Sequence, residues 1–267
     1  MLNVFKARLK QGYRTGQFPA APPNLPDGFQ GRPAINPAQC RDNCDLCQQV
    51  CPTKAIILTT ENPDSVSNDS AANGKGGGSK GPRAIDTGRC LFCGECAAAC
   101  PTGAIAFAPA DYRLAAFDRQ GLIDPNRRGQ PPPELHKLCG RSLTIRQVSA
   151  GGCAACELDF NVLNTLAWDL SRFGIAVAAS PRHADCLLVT GPVTRNMLTG
   201  LQKTYAAMPR PKWVVACGAC AISGGIYQDS TECLGGLEDI LKPDLYIPGC
   251  PPHPATILDA LLQLMGR

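Results

Sequence analysis

The chain has 267 residues, 44% of them hydrophobic, with 16 cysteines and a formal charge of +4. That length suits one large or two ordinary domains with real cores. Nothing at the N-terminus reads as a secretory or twin-arginine signal, and no run approaches the roughly 18 consecutive apolar residues of a membrane span. So many cysteines in a chain expected to stay in a reducing compartment point to metal rather than to disulfides.

In chain order, Met1–Arg14 predicts a helix with Leu2, Phe5 and Leu9 on one face and Lys6, Lys10 and Arg14 elsewhere on the wheel. A basic amphipathic helix of this kind lies on a membrane surface, docks on a partner, or packs on its own domain. Phe18–Pro37 is rich in Pro and Gly and is expected to wrap a surface as irregular chain, so that 1–37 form a helix and an arm.

The strongest local signal follows. Cys40-x3-Cys44-x2-Cys47-x3-Cys51-Pro52 is succeeded by Cys90-x2-Cys93-x2-Cys96-x3-Cys100-Pro101. The second copy is the bacterial ferredoxin run, and the first carries one extra residue between its first two cysteines. Close spacing lets three thiolates of one loop grip three irons of a cubane, while the fourth, followed by Pro, reaches towards the other cluster. The copies continue alike as Pro-Thr-Lys-Ala-Ile-Ile and Pro-Thr-Gly-Ala-Ile-Ala, as an internal repeat should. A zinc site given twice with this spacing is a poor alternative. The expected unit is an α+β two-cluster [4Fe–4S] ferredoxin domain over 38–120.

Within it, 61–82 is rich in Ser, Asn, Gly and Lys and is expected to be a flexible insertion. Its Gly-Lys-Gly-Gly-Gly-Ser-Lys run lacks the order of a phosphate-binding loop. Asp111–Asp118 is expected to leave the domain as an extended arm, and 121–141, with Arg127-Arg128 and Pro131-Pro132-Pro133, to be the interdomain linker.

The remainder, 142–267, alternates strand and helix patterns. Strands are expected at Leu143–Val148, Ile175–Ala178, Cys186–Thr190, Lys212–Ala216 and Leu245–Pro248, and helices at Glu157–Leu170, Thr194–Met208, Leu237–Leu241 and Ala255–Met265. Leu158, Val162, Leu163, Leu166 and Leu170 are expected to form one helical face. This alternation predicts an α/β doubly wound, flavodoxin-like parallel sheet, with ligands outside the carboxyl ends of its strands. Those ends carry no G-x-G-x-x-G but do carry cysteines: Cys153 and Cys156 after the first strand, then Cys220 and Cys250 after the later ones.

This half resembles the small, cluster-bearing subunit of group 4 [NiFe]-hydrogenases and is similar to the subunit of respiratory complex I that holds the terminal cluster. The matching stretches are Gly152-Cys153-Ala-Ala-Cys156-Glu-Leu-Asp159, Ser180-Pro-Arg-His-Ala-Asp185, Val189-Thr-Gly-Pro-Val-Thr-Arg-Asn196, Gly218-Ala-Cys220-Ala-Ile-Ser-Gly-Gly225 and Ile247-Pro-Gly-Cys250-Pro-Pro252. The C-x2-C spacing favours the hydrogenase branch, because the complex I subunit typically has adjacent cysteines. The first half resembles the two-cluster ferredoxin subunit of formate hydrogenlyase-type complexes through Phe29-Gln-Gly-Arg-Pro33 and Gly88-Arg-Cys-Leu-Phe-Cys-Gly-Glu-Cys96. The whole resembles a fusion of two subunits usually encoded separately.

The resemblance implies three [4Fe–4S] clusters: one on Cys40, Cys44, Cys47 and Cys100, a second on Cys90, Cys93, Cys96 and Cys51, and a third on Cys153, Cys156, Cys220 and Cys250. Each core held by four thiolates adds about −2, so three bring the net charge to roughly −2, and no nucleic-acid partner is expected. Cys186 and Cys233 are expected to be small buried core residues. Cys217 forms a C-x2-C with Cys220, but the resemblance assigns the ligand to Cys220. Asp159 stands where the family has a glutamate, and its simplest role is a carboxylate favoured by the helix dipole. Cys250-Pro-Pro-His253 offers half of a nickel-binding C-x2-C-x2-H, but Ile247 replaces the other cysteine; His136, His183 and His253 are expected at the surface or between domains.

The function implied is an electron relay within a membrane-associated complex on the cytoplasmic face, with no catalytic residues of its own. Its partners would be a catalytic large subunit, membrane subunits, and a ferredoxin or formate dehydrogenase-like donor or acceptor. A complex I-like or hydrogenase-related assembly without nickel, delivering electrons to quinone or to ion pumping, and a free soluble carrier are the alternatives.

Overall fold

Three strands of the C-terminal half are buried at every residue, which is how strands covered on both faces by helices read in sequence. They are β7 (Cys186–Thr190), β8 (Trp213–Cys217) and β9 (Leu245–Ile247). With β5 (Leu143–Ser149) and β6 (Ile175–Val177) they make a five-stranded parallel sheet in the order β6-β5-β7-β8-β9. Numbered within the domain this is 2-1-3-4-5, one of the two common doubly wound orders. The computed structural model describes residues 2–12, 15–41, 43–58 and 82–267. Of the insertion expected at 61–82, all but Pro82 lies outside the described residues, as do Met1 and Arg14.

Two cores flank the sheet. One gathers Leu143, Ile145, Leu188 and Val215 with Phe160 and Leu163, and with Ile257, Leu258 and Leu261 of α8 (Pro254–Leu264). The other gathers Val148, Leu187, Val189 and Val214 with Leu201 of α6 (Arg195–Ala207) and Ile222. Odd and even strand residues thus face opposite layers, as period-two alternation requires.

The N-terminal part is built twice over. β1 (Arg32–Ile35) pairs antiparallel with β4 (Ile105–Ala108), and β2 (Ile56–Leu58) with β3 (Pro82–Ile85). Two one-turn helices, α2 (Leu46–Gln49) and α3 (Glu95–Ala98), carry Cys47 and Cys96. β1, which precedes residue 38, is held by its pairing with β4.

Three expectations need correction. Residues 121–141 are not a free linker: Leu122 is buried in one core, and α4 (Pro133–Cys139) buries Leu135 and Cys139 in the other. The helix expected at Glu157–Leu170 is α5 (Ala155–Val162). It stops where the Thr165 hydroxyl donates to the Val162 carbonyl at 2.7 Å, a local bond that competes with the helical ladder. Its buried residues are Phe160 and, just beyond, Leu163, while Leu158 and Leu166 are exposed. Leu237–Leu241 makes a single turn, with the Ile240 and Leu241 N–H groups both donating to the Leu237 carbonyl. Of the placements open to the N-terminal helix, α1 (Leu2–Gln11) is exposed along its whole length, so packing on its own domain is not the one adopted.

The arm after α1 does wrap the α/β domain. Phe18 is buried edge-on against Tyr112 and Trp168, and Arg172 donates to the carbonyls of Gly16 at 2.8 Å and Phe18 at 2.6 Å. The second arm, Asp111–Asp118, closes the sheet's edge: Ala116 and Tyr246 of β9 exchange backbone hydrogen bonds at 3.0 and 2.8 Å. No described helix is long and apolar enough to cross a membrane.

Candidate iron–sulfur sites

Each ferredoxin loop delivers three cysteines to one cavity and its fourth to the other. Cys40, Cys44 and Cys47 line a cavity with Cys100, whereas Cys90, Cys93 and Cys96 line one with Cys51. The repeat is kept to the atom. The Ala55 N–H points at Cys51 Sγ (3.2 Å) and the Ala104 N–H at Cys100 Sγ (3.3 Å). Thr53 and Thr102 hydroxyls lie 3.9 and 3.6 Å from the same two sulfurs. Donors aimed at a sulfur favour its thiolate form. At Cys100 the bonds from Thr102, Ala104 and Ile105 outweigh desolvation and lower the thiol's pKa.

Elsewhere burial dominates. Desolvation pushes Cys47 up to about 11 and Cys90 up to about 12, with neighbouring thiolates adding to both. Cys96 is raised in the same way, with Cys51 and Cys93 as its charged neighbours. A cation among these thiols would favour the thiolate forms, and four sulfur donors round one cavity suit an iron-containing group.

The third set sits where the sheet topology places ligands. Cys153 and Cys156 follow β5, Cys220 lies on α7 (Ala219–Ser223) just past β8, and Cys250 follows β9. Burial raises the Cys156, Cys220 and Cys250 thiols, Cys220 to about 11, and each is raised further by the charge of Cys153. Cys153 and Cys250 are exposed, so this site opens at the protein surface. Gly218 makes room for it: at its φ of +93°, a Cβ would stand 2.6 Å from Cys156 Sγ. Among the described residues no three His, Cys, Asp or Glu side chains converge to hold a single ion. The residues of all three sets fit [4Fe–4S] clusters, whose ligands surround a multi-iron core.

Of the other cysteines, Cys217 ends β8 fully buried in the core beneath the third set. Cys186 and Cys139 are buried as well. Cys233 departs from expectation: it is partly exposed, its backbone pairs with Thr194, and its charge reaches Cys220. His253 caps α8, its Nδ1 accepting from the Ala255 N–H at 3.1 Å, and its ring lies edge-on to Phe29 of the arm.

Two features escaped the sequence. Glu157, adjacent to Cys156, accepts the Thr190 hydroxyl at 2.6 Å, and bonds from Ser149 and Thr190 overcome desolvation to lower its pKa. Asp159, by contrast, is raised by desolvation. Asp86 is a buried carboxylate gripped by Arg119. Neither partner pair has a sequence spacing that reveals it.

Residues 153–264 match the family model described as NADH ubiquinone oxidoreductase, 20 Kd subunit, and residues 38–105 match that of a 4Fe-4S dicluster domain. An NADH-quinone oxidoreductase subunit of Citrifermentans bemidjiense is 46% identical over 116 residues, 43% of this chain and 68% of that protein. The chain belongs to the 20 kDa subunit family. A second relative, the probable membrane-bound hydrogenase subunit mbhJ of Pyrococcus furiosus, is 40% identical over 50% of this chain and 80% of its own length. Within the solved membrane-bound sulfane sulfur reductase (MBS), an archaeal respiratory membrane complex, one chain is 37% identical over 50% of this chain and 74% of its own, at a TM-score of 0.44. In this 20 kDa-type chain the family domain follows a dicluster domain on the same polypeptide.

Proposed function

We propose that this chain is the electron-transfer subunit of a membrane-associated group 4 [NiFe]-hydrogenase complex of the formate hydrogenlyase type. Three [4Fe–4S] clusters would supply reversible one-electron chemistry. Cys40, Cys44, Cys47 and Cys100 would hold the outermost, Cys51, Cys90, Cys93 and Cys96 the middle one, and Cys153, Cys156, Cys220 and Cys250 the one facing the catalytic large subunit. The observation that carries this reading is the sequence of sites: Cys93 of the middle set stands near enough to Cys250 of the third for its charge to raise that thiol's pKa, and Cys250 and Cys153 are exposed beyond it. The path thus runs from a ferredoxin or formate dehydrogenase-like donor, through the dicluster domain, to an open face.

The chain's own residues orient and tune. Backbone N–H groups at Ala55 and Ala104 stabilise the crossing thiolates, Cys90 and Cys96 anchor the buried side of the middle site while Cys93 is exposed, and Gly218 lets Cys156 approach. Membrane subunits would complete the assembly on the cytoplasmic face, with α1 as one point of attachment. The C-x2-C of Cys153 and Cys156 and the likeness to a membrane-bound hydrogenase subunit support the hydrogenase reading. The likeness to an NADH-quinone oxidoreductase subunit favours the second one, a complex I-like assembly without nickel. The complex purified anaerobically decides between them. Nickel in the copurifying large subunit, with hydrogen reducing this chain's clusters, is the expected result. A large subunit without nickel, with quinone oxidising this chain's reduced clusters, would establish the second.

A further inference from the structure

The middle and third cysteine sets lie in different domains, yet a hydrogen-bonded joint connects the loop of one to the helix of the other. We propose that Gly88, Ser223 and Arg119 are positioning residues that set the separation of these two sites, and with it the rate at which an electron crosses between the domains. This inference rests on the cluster assignment proposed above.

Ser223, on the helix that carries Cys220, shares its single hydroxyl proton between the Gly88 carbonyl at 3.0 Å and the Ala219 carbonyl of its own helix at 3.1 Å. The bond therefore joins a residue two positions before Cys90 to one three positions after Cys220. Gly88 leaves no slack: an added Cβ would lie 2.7 Å from Leu122 Cδ1 and 2.9 Å from Ile222 Cγ2, the latter on the Cys220 helix. Arg119 grips the same turn from the other side, donating to Asp86 Oδ1 at 2.9 Å and Oδ2 at 2.5 Å, while Oδ1 also accepts the Gly88 N–H at 2.9 Å. The guanidinium Nε stands 4.0 Å from Glu238 of the α/β domain. Desolvation alone would lower the Arg119 pKa, but Asp86 and Glu238 raise it, so the clasp is charged.

A buried ion pair of this kind is weak evidence for stability but defines one geometry well. The packed glycine blocks closer approach, and the polar bonds resist separation. Only the electron moves in the step, oxidising one site and reducing the other, without a proton or a bond change. Its probability falls steeply with distance, so small displacements of the joint are felt in the rate.

The full chain, reconstituted anaerobically with iron and sulfide and reduced with dithionite, tests this through Ser223→Ala, Ser223→Thr, Arg119→Met and Gly88→Val. The readouts are iron content, the EPR signal of each cluster, the magnetic coupling between the middle and third, and the intercluster transfer rate after rapid photoreduction. In Ser223→Ala, iron and the individual signals should persist while coupling weakens; because a neutral hydrogen bond shifts a docking equilibrium by about fivefold, transfer should slow by about that factor. Ser223→Thr should restore both, and Arg119→Met and Gly88→Val should show larger losses. If Gly88→Val loses iron, Ser223→Ala and Arg119→Met decide. Unchanged coupling and rate in those two, with full iron, overturns the joint while leaving the cluster assignment intact. A wild-type chain lacking the third signal overturns the assignment, and the joint falls with it.

Discussion

Cys217 and Cys220 are three residues apart, and the structure separates their roles by direction. Cys217 ends a strand and points into the core, while Cys220 starts a helix over the sheet's carboxyl edge. Cys217→Ala should keep the third cluster's reduced-state EPR signal and cost about 1 kcal/mol of stability, as a small core truncation ordinarily does. Cys220→Ala should abolish or convert that signal while both ferredoxin signals remain; the opposite pattern would move the ligand to Cys217. His253 offers a pH test. Burial lowers its pKa. Below about pH 6.5 the unfolded chain takes up a proton that the folded chain resists, so stability present above that pH is lost on acidification. Asn retains the capping acceptor without the titration. The fall in Tm between about pH 7.5 and 5.5 should therefore be smaller in His253→Asn, and equal falls would show that this imidazole does not contribute.

Among the elements, α4 and α1 make opposite predictions. Leu135 of α4 is fully buried beneath the sheet. Its truncation to Ala should cost about 2–5 kcal/mol in denaturant unfolding, as for other buried leucines, where a linker position would cost about 0.5 kcal/mol or less. On α1, Phe5 is 68% and Leu9 83% exposed, so charging them removes no internal contact. Phe5→Asp/Leu9→Asp should leave iron content and Tm unchanged while releasing the complex from membranes; retention on membranes would rule out α1 as the attachment. Lys6, Arg8 and Lys10, with no acidic residue in the helix, suit an anionic surface.

The whole molecule should carry ~12 iron and ~12 sulfide when reconstituted, as three cubanes. A plateau near ~8 iron with the α/β domain folded would remove the third site. In the proposed relay, the middle set would link the two domains. Its ligands come from both ferredoxin loops, its Cys93 approaches Cys250, and the turn before Cys90 is the one clasped by Arg119 and Ser223.

Local spacing by itself determined the cysteine runs, the internal repeat and the parallel-strand pattern, because ligand spacing and period-two burial are properties of neighbours in sequence. The strand Cys186–Thr190 is legible in this way from its unbroken apolar run. Tertiary structure alone decided that Phe160 rather than Leu158 of α5 meets the core. It also decided that 121–141 is packed, that α1 is not, and that Asp86 finds Arg119, 33 residues away. Such pairings depend on which surfaces the fold brings together, and sequence separation of that size leaves no periodic trace.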